Sequence, residues 1–429
     1  MVINETTAAP QAVSHPDRPT RYRVVLAAIL FITLLVSYLD RTNISVLVAD
    51  PKFLHDMGIA GQPAKMGMFL TVFLLAYGVA NIVLAPLGNV MGPRWAMLLA
   101  VVVWAVSVIL GGLAGGFGMM IATRVLLGAG EGLHWPMQSL FVTNWFPPRE
   151  RSKANAAWLL GLMVGPMIAM PIITSVVAAN GWRSSFWLLA GLSVVPMLLL
   201  FFFTQDIPAA SRFVGRQELD HIETGIRAAK ASAAAETGAH RAFVADWRFW
   251  LIVLGFLCSS SVFWGVIGWL PSYLKSARGF SFAQLGTFAS LPYMLGAITV
   301  VIFGFVADRY RHKGVFPTIA LFGAAVCIYA GATVKSNIAS ALILSLAMGF
   351  IGVGLSSYWT MMQTIVHHAQ IGAAAGVMNG VAQILSAFVP TIVGALIGSA
   401  GHYSNGLMFL VGAGCLGGIS MGILALKRV

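Results

Sequence analysis

From residue 24 to residue 426 the chain alternates between long apolar runs and short polar breaks. Most runs reach about 20 residues, the length an α-helix needs to cross a hydrocarbon core about 30 Å thick. Runs and breaks predict twelve spanning helices near 24–48, 66–89, 95–115, 117–144, 154–178, 184–204, 247–274, 282–306, 315–335, 338–365, 370–398 and 404–426. One polar stretch is much longer than the others. It runs from about 205 to 245, holds Arg212, Arg216, Glu218, Asp220, Glu223, Arg227 and Lys230, and includes an Ala-rich tract. The pattern divides the chain into a tail (1–23), a first six-helix bundle (24–204), a linker (205–246) and a second six-helix bundle (247–429). The predicted fold class is an all-α membrane protein with two pseudo-symmetric halves.

Composition strengthens this picture. Of 429 residues, 58% are hydrophobic and 9% charged, against roughly a quarter charged in soluble domains. The net charge of +12 invites a nucleic-acid reading. The basic residues, however, sit in clusters between apolar runs, as topology determinants do, and no base-contact module accompanies them. The expected partners are the lipid bilayer and a small molecule, with no nucleic acid. Cys258, Cys327 and Cys415 are odd in number and far apart, which argues for free thiols rather than a disulfide framework. Residues 1–23 are polar, with Pro10, Pro16 and Pro19, and read as a disordered tail rather than a cleavable signal.

Placing both termini and the linker in the cytoplasm puts eighteen of the 26 Lys and Arg inside and six outside. That bias fits an even number of spans. The halves also echo each other. Gly88–Arg94 after the second span and Gly304–Arg311 after the eighth are tight, glycine-containing turns at matching places. Such repeats build alternating-access carriers, with the site between the halves.

Four charges remain inside the predicted spans: Asp40, Arg41, Arg124 and Glu131. All lie in the first half and sum to zero. Each costs at least about 2.5 kcal/mol at the bilayer centre, so an intramembrane charge points to function. Arg124 and Glu131 are seven apart and share a helix face, which Trp135 and Gln138 continue. Gly128, Gly130 and Gly132 allow a close neighbour. Asp40 and Arg41 are adjacent, about 100° apart, and cannot face one point. Tyr38 lies near Arg41 on the helix surface, and Asn43 adds a polar group.

These residue types suggest proton and anion chemistry. Burial opposes a carboxyl's charged form and a neighbouring guanidinium favours it, a balance that lets Asp40 and Glu131 load and release protons. Arg offers a planar fork that fits a carboxylate. An anion between Arg41 and Arg124 would compete with the acids for them, which couples binding to protonation. His134, three residues after Glu131, is a candidate relay. His367 and His368 fall at a span end. Asp308 and Arg309 read as a cytoplasmic latch.

The second half offers Trp264, Trp269, Tyr273, Tyr293, Tyr358, Trp359, Gln363, Asn379 and Gln383. Of these Trp359, Gln363, Asn379 and Gln383 are the favoured substrate-facing groups, with Tyr77 and Asn81 sharing a face in the first half. No metal-ligand cluster, Gly-x-Ser-x-Gly elbow or phosphate loop is present, so an enzyme or nucleotide-driven pump is not expected, nor any cofactor beyond the coupling proton.

At Tyr38-Leu39-Asp40-Arg41-Thr42-Asn43, at Arg124 through Glu131-Gly132 with Pro136 and Trp145-Phe146-Pro147, and at Trp269-Leu270-Pro271-Ser272-Tyr273-Leu274 with Arg278-Gly279-Phe280-Ser281, the sequence resembles the major facilitator superfamily. Within it the likeness is to the anion:cation symporter family, which includes carriers of hexuronates, glucarate, galactonate, tartrate and phthalate. The resemblance covers residues 22 to 426. It implies the major facilitator fold in a bacterial inner membrane, and proton-coupled uptake of a sugar acid or other carboxylate by a functional monomer. It implies proton-carrying roles for Asp40 and Glu131, carboxylate binding by Arg41 and Arg124, and pocket positions at Tyr38, Tyr77 and Asn379. Proton-driven antiport of a metabolite or drug is the alternative on the same fold. The chain departs from the pattern in two places. Asn89 and Val90 replace the acid and base of the Gly-x-x-x-Asp-Arg turn in the first half. Trp158–Leu162 stands where sugar-acid carriers tend to have an amide, which leaves room for a less polar or aromatic acid.

Overall fold

A computed structural model of the chain describes residues 20–234, 243–310, 312–366 and 370–427. In the first half the helices are α1 (Tyr22–Leu47), α2 (Pro51–Asp56), α3 (Pro63–Val83), α4 (Leu87–Gly112), α5 (Phe117–Trp145), α6 (Pro148–Leu159), α7 (Gly161–Asn180) and α8 (Arg183–Phe203). The linker contributes α9 (Arg216–Ala234). The second half holds α10 (Trp247–Ser272), α11 (Phe282–Phe288), α12 (Leu291–Arg309), α13 (Val315–Thr333), α14 (Asn337–Ile365), α15 (Ile371–Ser386), α16 (Val389–Ala400) and α17 (Tyr403–Leu426). Three predicted spans are each made of two helices: α6 with α7, α11 with α12, and α15 with α16.

Among the described residues, eleven helices are long and apolar enough to cross a membrane. The twelfth span is α5, which is long enough at 29 residues but diluted by Arg124, Glu131, His134 and Gln138. The span whose polarity weakens the membrane signal is therefore the one with the candidate chemistry. The three cysteines are unbridged. Side chains of Asp308 and Arg309, and residues His367 and His368, lie outside the described residues.

The first-half turn that lacks its expected acid obtains one from elsewhere. Asp206, just past α8, accepts a hydrogen bond from the Arg94 N–H at 2.8 Å. Gln205 accepts from the Arg94 guanidinium at 3.1 Å. Gly92, at φ +81°, breaks α4 into two helical stretches here, and a side chain there would strike the Asp206 carboxylate; glycine is required on both counts.

The linker is not extended chain. Glu218 on α9 accepts hydrogen bonds from the Thr20 hydroxyl (2.6 Å), Tyr22 N–H (2.8 Å) and Arg23 N–H (3.0 Å). It thereby caps the start of α1, whose own preceding residue Arg21 supplies no side-chain cap. A carboxylate at a helix N-terminus satisfies free N–H groups and complements the helix dipole.

Two side-chain hydrogen bonds bridge the halves among the described residues. Ser272 donates to the Val48 carbonyl (3.1 Å) and the Thr71 and Thr391 hydroxyls meet at 2.8 Å. Both lie toward the end of the bundle away from the chain termini. Gly286 presses there against Pro171 and Thr174, and Gly67 against Pro390 and Thr391, so closely that a Cβ would clash in each case. The seam between the halves is shut at that end.

Candidate functional site

The small residues of α5 draw it against its neighbours. A Cβ on Gly132 would come within 2.8 Å of the Ala80 Cβ on α3, and one on Gly130 within 3.0 Å of the Trp104 nitrogen on α4. Asn81 donates to the Gly132 carbonyl at 3.3 Å. This close approach brings Glu131 to α1.

There Arg41 Nε donates to Glu131 Oε2 at 2.5 Å. The guanidinium lies over the rings of Tyr38 (4.4 Å to the centroid) and Tyr77 (4.6 Å), with Phe73 at 5.3 Å. Arg41 is 5% exposed and Glu131 0%. Burying an ion pair is tolerable only when geometry and added partners offset the lost hydration, and three aromatic faces supply cation–π attraction here. The pairing is still incomplete. Arg41 Nη2 and Glu131 Oε1 are buried without hydrogen-bond partners.

Asp40, turned about 100° away along α1, sits in a second arrangement. Neither of its carboxylate oxygens has a partner, and it lies within electrostatic reach of Arg124, Arg41 and Glu131. Arg124 is buried, its guanidinium 5.5 Å from the Phe186 ring on α8 and its Nε without a partner. The two arginines thus have different settings: one paired and caged by aromatics, the other packed on a ring inside the first half. His134, also buried, has its Nε2 3.1 Å from Gln138 Nε2, which donates to the Leu30 carbonyl at 3.0 Å. Trp104 meets the imidazole edge-on at 5.8 Å.

The remaining sequence candidates are dispersed. Trp135 meets Trp158 edge-on at 4.9 Å, and Trp158 donates to Asn155 at 3.0 Å. Trp359 packs edge-on against Phe256 at 5.8 Å. Gln383 accepts from the Trp264 indole at 3.1 Å. Asn379 is half-buried and Gln363 exposed. Phe73 and Phe186 were not legible as site residues, because an apolar ring in an apolar helix gives no sign that it faces a cation. Tyr293 stood among the second-half aromatics without distinction, yet it is buried with a hydroxyl that has no partner.

Residues 30–390 match the family model described as Major Facilitator Superfamily. The chain is 30% identical over 406 residues to a probable sulfoacetate transporter of Cupriavidus necator, covering 92% of this chain and 91% of that one. It is 26% identical to a D-galactonate transporter of Escherichia coli, covering 96% and 98%. In architecture it is similar to a bacterial homologue of the human lysosomal transporter Spinster in an inward-facing, unoccupied conformation. That likeness has a TM-score of 0.75 at 18% identity and covers 96% and 98% of the two chains.

Proposed function

Since the chain belongs to the major facilitator superfamily and is a multi-pass membrane transporter, we propose that it takes up a small organic anion with protons, by alternating access. The observation that carries this reading is the buried Arg41–Glu131 pair, with an unspent guanidinium nitrogen and an unspent carboxylate oxygen. An arriving carboxylate or sulfonate finds a cation already held over Tyr38 and Tyr77, and competes with Glu131 for it. The displaced glutamate then gains from taking up a proton. Binding of anion and proton favour each other, which is coupling by linkage. Asp40, buried with both oxygens unbonded, is a second place for a proton, with Arg124 within electrostatic reach of it.

The substrate class follows the same chemistry. The similar proteins are named for sulfoacetate and D-galactonate, both anions that an arginine can hold. With the termini in the cytoplasm of a bacterial inner membrane, as the basic residues suggest, the shut end of the seam is the outer gate. The carrier then stands ready to release or accept substrate on the inside, as a monomer with a proton as coupling ion and no cofactor.

The test is uptake into right-side-out vesicles under an imposed inward proton gradient, with sulfoacetate and D-galactonate as probes. The wild-type protein loads the vesicle. Asp40→Asn and Glu131→Gln lose accumulation against the gradient. Undiminished concentrative uptake in both variants overturns the coupling, and a vesicle that empties under the same gradient overturns uptake in favour of antiport.

A further inference from the structure

All four buried charges lie in the first half, and none of the second-half candidates Trp359, Gln363, Asn379 and Gln383 makes a hydrogen bond or ring contact with Arg41 among the described residues. Tyr293 fills the second-half position instead. It lies just after the break between α11 and α12, on the eighth span, and is 1% exposed. Its hydroxyl has no partner, and leaving a buried hydroxyl without one is costly. Such a group calls for an explanation, and its surroundings suggest one.

Tyr293 and Gly296 are three residues apart and share a face of α12. A Cβ on Gly296 would come 3.3 Å from Met163 Sδ on α7. Two residues further along α7, a Cβ on Gly165 would come 2.8 Å from the Tyr38 Cβ on α1. Helix α7 is therefore the common neighbour that brings Tyr293 to the level of Tyr38, and the two tyrosines lie within electrostatic reach of each other. Tyr38 in turn is the ring beneath Arg41. Two buried donors without partners thus come from different halves toward Tyr38: the Arg41 Nη2, whose guanidinium lies over that ring, and the Tyr293 hydroxyl, within electrostatic reach of it. A carboxylate or sulfonate has the several oxygens needed to accept from both.

We propose that the Tyr293 hydroxyl is the second-half ligand of the anionic group held by Arg41, so that an occupied site ties the two halves together across Tyr38. This rests on the anion-carrier reading and sharpens it. A neutral donor suits the position. It adds attraction for an oxyanion without adding a charge that the empty carrier would have to bury. The occupied site is then cross-linked by the substrate, and the empty one is not.

Tyr293→Phe tests the assignment, because it keeps the ring and removes only the donor. Thermal unfolding of the purified full-length protein is followed with sulfoacetate or D-galactonate at increasing concentration. The expected result has two parts of opposite sign. The unliganded variant is as stable as the wild-type protein or more so, since an orphaned hydroxyl is gone. A given rise in Tm needs about tenfold to a hundredfold more ligand, as befits a lost hydrogen bond to a charged group. Transport shows the same displacement in KM. A variant that is less stable without ligand yet keeps the wild-type ligand response makes the hydroxyl structural and overturns the proposal alone. A wild-type protein that responds to neither anion overturns the anion-carrier reading as well, so the two failures are separable.

Discussion

Removing either member of the Arg41–Glu131 pair strands the other, but the two cases are unequal. In Glu131→Gln the guanidinium remains 5% exposed with no ionised partner within a hydrogen bond. Arginine cannot shed its proton, so the cost is that of a broken buried pair, about 3–5 kcal/mol at any pH. In Arg41→Gln the stranded group is a carboxyl, which can escape by binding a proton. From an ordinary glutamate value near 4.3, that costs about 2.7 × 1.36 or roughly 3.7 kcal/mol at pH 7, and about 1 kcal/mol at pH 5. The sign follows: the unfolded chain ionises Glu131 above that value while the folded variant keeps it neutral, so folding takes up a proton and is favoured as pH falls. Denaturant titration of the two purified variants at pH 5 and pH 7, each against the wild-type protein, reads the difference. The Arg41→Gln deficit should shrink by about 2–3 kcal/mol on acidification, whereas the Glu131→Gln deficit stays constant. Equal deficits at both pH values for Arg41→Gln would refute the claim that the pair is sealed from water.

Two further outcomes are expected. On the side away from the termini, the Trp182 indole N–H first, and then Arg183, hold the Asp56 carboxyl below the usual carboxylate range. This tie contributes above the ordinary value and is lost as pH falls through the lowered one, so Asp56→Asn should flatten the acid limb of a Tm-against-pH curve; an unchanged limb counts against it. Gly132→Val would drive a branched side chain into α3 beside Ala80 and the Asn81 nitrogen, for a loss of about 1–3 kcal/mol and weakened uptake through displaced Glu131. Wild-type stability in that variant would show that the α3–α5 approach is not tight.

The sequence and the structure agree best where the signal is a local one. Apolar runs of membrane length located most spans to within a few residues, the break between the second and third lying six to eight residues earlier than expected, and the buried charges stood out because they sit inside otherwise apolar runs. The span α5 was legible from the flanking breaks even though its own polarity lowers its hydropathy. Helix α9 was not, because its residues carry no apolar run. It is held by Glu218 reaching the start of α1, a contact about two hundred positions away along the chain. The acid that completes the first-half turn was likewise hidden, since Asp206 lies far from Arg94 in the chain and only the fold brings it back. Adjacency of Asp40 and Arg41 showed that they must diverge; which of them meets Glu131 depends on packing between helices.

Docking of α9 on the start of α1 has a consequence for how the carrier moves. Because Glu218 grips three groups around that helix start, the linker helix travels with the first half as part of its body. A displacement of the second half would then leave α9 behind with the first. A ligand or enzyme that grasps α9 would therefore hold one half by a handle and leave the other free to swing.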